Sequence, residues 1–207
     1  MAEAAAELEL IASEVRICPD CELCRTRTNA VPGTGNATAD IMLIGEAPGM
    51  NEDKTGEPFV GASGKFLTEL LSAAGLERSD VFITNVVKCR PPGNRDPLPD
   101  EIQACRQYLD RQIEVINPRV IVTLGRYSMS RWFPNERISR IHGQPRVADG
   151  RMIVPMFHPA AALHQASLRA TIESDFARLP EIVDEARRTL GTAEEQADTG
   201  PAQSRLF

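Results

Sequence analysis

Five cysteines stand at Cys18, Cys21, Cys24, Cys89 and Cys105, the first three evenly spaced in the stretch ICPDCELCRTR. Five thiols are one more than a four-ligand metal site takes, and an odd number for disulfides. A ferredoxin loop would need its fourth cysteine where Thr28 stands. A zinc ribbon would need a second C-x-x-C, and Cys89 and Cys105 are too far apart to form one. Thiolate-only ligation by scattered cysteines suits an iron–sulfur cluster. Spacing alone leaves open which four would hold it.

A second set of residues could handle a flat, polar ligand. Glu46 and Glu52 lie in GEAPGMNEDKTGEPFVG, with Phe59 near its end. Asn85 ends the run TN, and His158 lies in MFHPAAAL. Each has a plain structural reading: Phe59 as a plug under its loop, Asn85 as a turn former, His158 as a satisfied histidine beside an apolar run. Each also has a chemical one. An aromatic face can stack on a base, a carboxamide can read the edge of a pyrimidine through one donor and one acceptor, and a histidine can donate to an oxygen that gains charge. A nucleotide-triphosphate site is disfavoured, because Gly64-Lys65 is followed by Phe66 and lacks the upstream glycine of a phosphate loop.

These residues need positioning, and four apolar runs supply it: DIMLIG (40–45), DVFITNV (80–86), RVIVTLG (119–125) and MIVPMFH (152–158). Such continuous runs read as buried parallel strands. Helical patterns fall between and after them at 61–75, 99–118 and 167–191, the last with an expected kink at Pro180. Alternating strand and helix predicts an α/β domain with helices on both faces of a parallel sheet. Ligands of such sheets bind beyond the carboxyl ends of the strands, and Glu46, Phe59, Asn85 and His158 all follow there.

Composition fits a single globular domain over 1–191, at 42% hydrophobic and 25% charged residues. No run approaches the roughly 20 apolar residues of a membrane span. The acidic start MAEAAAELELIASE lacks the pattern of a signal peptide, so a cytoplasmic address is expected, with free or metal-bound thiols. Net charge is −6, but the acids concentrate at the two ends. Lys88, Arg90 and Arg95 share one loop, and Arg126, Arg131, Arg137, Arg140 and Arg146 meet only Glu136 within their own segment. A phosphate-facing surface on an acidic protein is therefore feasible. Residues 192–207 are polar and expected to be disordered.

The segments GEAPGMNEDKTGEPF, TNVVKCRPPGNRDPLPDE and MFHPAAAL resemble the signature segments of family 4 uracil-DNA glycosylases, the iron–sulfur type, over roughly 15–187. The GE-A-PG form followed by Glu-Asp resembles family 4 rather than family 5. The resemblance implies a three-layer α/β/α sandwich around a four-stranded parallel sheet. It implies removal of a flipped-out uracil from DNA by hydrolysis of the N-glycosidic bond. Phe59 would stack on the base and Asn85 would read its edge. Backbone at Glu46, Ala47 and Pro48 would line the pocket with Glu52 nearby, and His158 would donate to uracil O2. Family 1 enzymes carry a water-orienting Asp where Ala47 stands, so Glu46 is the candidate for that task. Lys88, Arg90 and Arg95 would hold DNA phosphates, and Leu163, helped by His164, would wedge into the minor groove. The family's C-x-x-C pair lies twelve residues before a G-x-G turn. Cys21 stands so before Gly33, which assigns a [4Fe–4S] cluster to Cys18, Cys21, Cys89 and Cys105 and leaves Cys24 spare.

A uracil-DNA binding or cross-linking protein without turnover is the alternative, but CRPPGNRDP carries neither the basic insertion nor the histidine that a covalent link would use. An electron-transfer or metal-storage protein would explain the cysteines and not Phe59, Asn85 and His158. The partners expected are uracil-containing DNA and, through Gln203, Leu206 and Phe207 of the terminal QSRLF, a replication sliding clamp. A monomer is expected.

Overall fold

The computed structural model describes residues 2–198, with side chains to residue 190. Strands β1 (Thr34–Gly35), β2 (Ile41–Gly45), β3 (Val81–Asn85), β4 (Val120–Leu124), β5 (Arg146–Ala148) and β6 (Arg151–Met156) form one sheet in the order β1-β3-β2-β4-β6-β5. The four inner strands are parallel and match the four apolar runs. The sheet nevertheless has six strands rather than four. Short antiparallel strands β1 and β5 pair along its two edges.

The helices are α1 (Ala2–Ile17), α2 (Met50–Thr55), α3 (Ala62–Ala73), α4 (Pro99–Ile116), α5 (Arg126–Met129), α6 (Ile138–Ile141), α7 (Ala160–His164), α8 (Arg169–Ala177) and α9 (Leu179–Asp198). Each inner strand alternates its side chains between two cores, as the two-residue period of a strand requires. Ile41, Leu43, Val81, Ile83, Val120, Val122, Met152 and Val154 join Leu67, Leu71, Phe176 and Ile182 on one face. Met42, Ile44, Phe82, Ile121 and Ile153 join Ile11, Val15, Leu109 and Ile113 on the other. Burial on both faces explains why these strands are apolar throughout and why the molecule has three layers.

Two features differ in detail from expectation. The helix expected over 167–191 is broken into α8 and α9 at Arg178, with Pro180 in the first turn of α9. There its missing N–H costs no helical hydrogen bond. Helix α9 continues to Asp198, so residues 192–198 of the segment expected to be disordered are helical. Gln203, Leu206 and Phe207 lie outside the described residues. Among the described residues, no helix is long and apolar enough to cross a membrane.

Candidate active site

Parallel register brings the chemistry to one edge. Gly45 pairs with Asn85, so Glu46 leaves β2 beside the end of β3. His158 lies two residues beyond β6. Glu46, Ala47, Pro48, Glu52, Phe59, Asn85 and His158 line one cleft of about 570 Å³, together with Ser63, Asn94, Arg95, Asp96 and His164. That volume suits a nucleoside-sized ligand. A cleft of about 590 Å³ also opens between α1 and the 27–37 loop. Its buried Gln112 is already bonded to Pro32 and Lys88, which leaves it little to offer a ligand.

Phe59 forms the aromatic wall. Its backbone is left-handed at φ 53°, a strained state for a non-glycine residue. Three neighbours impose it. Arg78 donates to the Pro58 carbonyl at 2.8 Å and the Phe59 carbonyl at 3.3 Å. Gly64 lets the loop lie so close that a Cβ there would stand 1.8 Å from the Phe59 oxygen. The Glu52 carboxylate accepts from the backbone N–H groups of Gly49, Val60 and Gly61. Glu52 is thus spent on the loop, and its part at the ligand is to hold Phe59 in place.

Asn85 is buried at 1% exposure, and its Oδ1 has no hydrogen-bond partner among the described residues. A buried acceptor left unpaired costs about 1–3 kcal/mol. A Cβ on Gly45 would meet this oxygen at 2.4 Å and the Phe59 ring at 2.7 Å, so glycine there is what opens the pocket floor.

The His158 ring stacks with Phe59, centroids 5.4 Å apart. Its Nδ1 faces the Ala160 backbone N–H at 3.1 Å. A backbone N–H can only donate, so Nδ1 is the acceptor and the neutral ring carries its proton on Nε2. Burial pushes the imidazole pKa down to about 4, against an opposing pull from the Glu52 charge. At neutral pH His158 is therefore an uncharged donor. Glu46 moves the other way. Burial, then the charge of Asp96, raises it to about 7, with Arg126 opposing.

The expected DNA contacts divide. Lys88 is not at the surface, where a phosphate contact would need it. It is buried at 1% exposure, and its ammonium donates to Thr84 Oγ1, Asn85 O and Gln112 Oε1 at 2.6–2.8 Å. Burial lowers its pKa to about 7. Arg95 spends its guanidinium on the buried Glu101 through two bonds of 2.6 and 2.9 Å. Arg126, Arg131 and Arg146 pair with Asp96, Asp110 and Glu136. Among the described residues, Arg90 meets only the neutral Asn94 Oδ1, and Arg137 and Arg140 have no carboxylate partner. Leu163 stands half exposed on α7, beside the cleft-lining Ala160, Ala161 and His164.

Cys18, Cys21, Cys89 and Cys105 line a second, mostly apolar cavity with Val15, Leu23, Arg27, Lys88 and Tyr108. Cys24 is not among its walls, and its thiol faces the Pro19 carbonyl at 3.8 Å. Two sulfurs already receive N–H donors: Arg27 Nη1 at 3.1 Å from Cys89 Sγ, and the Lys88 backbone N–H at 3.2 Å from Cys105 Sγ. Burial pushes the Cys105 thiol up to about 11, and raises Cys89 and Cys21 as well. Among the described residues, no three such side chains are drawn together at ligand distance. The donor set and the N–H groups aimed at sulfur fit a thiolate-bound group, whose binding would displace the thiol protons.

The uracil-DNA glycosylase superfamily model matches residues 32–181, and the chain belongs to that superfamily. Type-4 uracil-DNA glycosylases narrow the assignment. The one from Saccharolobus solfataricus is 51% identical over 88% of this chain and 89% of its own. That from Sulfurisphaera tokodaii is 50% identical over 87% of each. That from Archaeoglobus fulgidus is 47% identical over 88% and 96%. This chain is a member of the type-4 family.

Proposed function

We propose that the cleft hydrolyses the N-glycosidic bond of uracil in DNA, releasing uracil and leaving an abasic site for repair. The unpartnered, buried Oδ1 of Asn85 is the observation that carries this reading. A base must leave the stack to reach such a floor. Uracil presents N3–H to Oδ1 and O4 to Nδ2. Cytosine presents an acceptor and a donor in those places, so it leaves both carboxamide groups mispaired in a buried site. Phe59 supplies the stacking wall. As the C1′–N1 bond breaks, its electron pair passes to the base and negative charge grows on O2. The neutral His158 donates Nε2–H there, a bond that strengthens as charge develops. Water adds to C1′, and its proton passes to the ionised Glu46.

We also propose that Cys18, Cys21, Cys89 and Cys105 hold a [4Fe–4S] cluster. When bound it supplies a rigid cross-link among the N-terminal segment, the loop after β3 and α4. This chain's own part is to present four sulfurs in one cavity and two N–H donors to them.

The test is direct. Purified protein is mixed with single- and double-stranded oligonucleotides carrying one uracil or one cytosine, and its visible absorbance is recorded. Free uracil, an alkali-cleavable abasic strand and a brown protein are expected. No base release from uracil DNA would overturn the activity. A covalently shifted band on a denaturing gel would indicate a trap instead.

A further inference from the structure

Glu46 has charged company that packing does not require. Asp96 lines the same cleft from the loop before α4. Its carboxylate pairs with Arg126, the first residue of α5, just past the carboxyl end of β4. Arg126 also donates to the Tyr127 hydroxyl at 3.0 Å. The backbone of Asp96 is set separately: Arg95 Nη1 donates to its carbonyl at 2.9 Å while the same guanidinium grips Glu101. The Arg126–Asp96 pair is therefore not needed to hold the loop. Its side chains are 66% and 58% exposed, and pairs so exposed contribute at most about 1 kcal/mol to stability.

We propose that Asp96 and Arg126 are positioning residues of the reaction, acting through Glu46 with opposite sign on its readiness to take the proton of the attacking water. This rests on the reading of Glu46 as that base. The Asp96 charge favours a protonated Glu46 and the Arg126 charge favours an ionised one. Other groups around the cleft are committed elsewhere. Glu52 is bound to three backbone N–H groups. Arg95 is held by Glu101, and His158 is neutral. The Tyr127 phenol, raised by burial and then by Asp96, stays uncharged. His164 lines the cleft from α7 and is the remaining titratable side chain there.

The experiment is single-turnover uracil release, enzyme in excess, across about pH 5 to 9, where a base reveals its titration. Saturating enzyme removes any weakening of DNA binding from the rate. Glu46→Gln should abolish the inflection near neutrality. Asp96→Asn should move it to lower pH and Arg126→Gln to higher pH, each by roughly half a unit or more. Asp96→Glu and Arg126→Lys should restore the parent profile, which a merely structural role would not predict. If Glu46→Gln keeps the inflection, the base assignment fails. If Glu46→Gln removes it but Asp96→Asn and Arg126→Gln leave it in place or move it the same way, this inference fails and the base assignment stands.

Discussion

The uracil cleft and the cysteine cavity flank one short stretch of chain, Asn85 to Cys89, and are built on opposite terms. In the cleft, polar groups are buried and kept partly unpaired: Asn85 Oδ1 has no partner among the described residues and His158 is a neutral donor. In the cavity, the walls are mostly apolar and two of the four sulfurs already receive N–H donors. The first arrangement holds affinity in reserve for a ligand that comes and goes. The second suits a group that stays. Catalytic residues should therefore be removable without unfolding, and cysteine ligands should not.

The largest effect follows from that contrast. His158→Ala and Asn85→Ala should slow single-turnover uracil release by about 10²- to 10³-fold, the usual cost of one transition-state donor, with the melting temperature near that of the parent. Cys89→Ser and Cys105→Ser should lose the brown absorbance and melt well below it. Calorimetry beside the rate assay checks both halves. A destabilised His158→Ala, or a stable and coloured Cys89→Ser, would break the comparison.

Lys88 joins the two regions. Its backbone N–H bonds Cys105, while its ammonium bonds Thr84, Gln112 and the carbonyl of Asn85. Lys88→Met keeps the length and removes three hydrogen bonds at the end of β3. Uracil release should fall on the order of tenfold, because small displacements of a binding group are costly. Rejection of cytosine should weaken while the visible absorbance persists. Unchanged rate and selectivity would show that Asn85 is held without it.

Lys88 also marks where the sequence stops being legible. A lysine beside Arg90 and Arg95 reads as a phosphate contact. Its burial depends on Gln112, which α4 delivers from 24 positions further along. The pairing of Arg126 with Asp96 and of Arg131 with Asp110 is likewise invisible to a charge count within 126–146. The central strands were legible because burial on both faces forces unbroken apolar runs. Strands β1 and β5 were not, since Thr34-Gly35 and Arg146–Ala148 are short and take their partners from the sheet edge. Asn85 and His158 could be found because nothing in packing asks for an amide or an imidazole at a strand end. Arg78 could not, because its role is defined only by the carbonyls it meets.

Those carbonyls make Arg78 a smaller probe of the cleft. It supports Phe59 in a left-handed backbone from outside the pocket. Arg78→Met should let the ring relax, raising KM for the uracil strand by a few-fold with a lesser change in kcat. The split matters, because stacking acts on the bound base more than on the breaking bond. An unaltered KM would mean that Gly64 and Glu52 hold the loop unaided.

Cys24 should give the smallest effect, and it is the sharpest control for the cavity. It is three residues from Cys21 on the turn Glu22–Arg25, so sequence spacing makes it as good a ligand as Cys18. Position separates them: Cys18 lines the cavity and Cys24 does not. Cys24→Ser trades sulfur for oxygen at a partly exposed thiol whose one bond among the described residues is a long one to the Pro19 carbonyl. Its cost should stay within about 0.5 kcal/mol, with colour, melting and uracil release unchanged. Cys18→Ser should bleach the protein. A bleached Cys24→Ser beside a coloured Cys18→Ser would move the ligand three residues along and require the turn to swing its thiol inward, since Pro19 now draws it toward the surface.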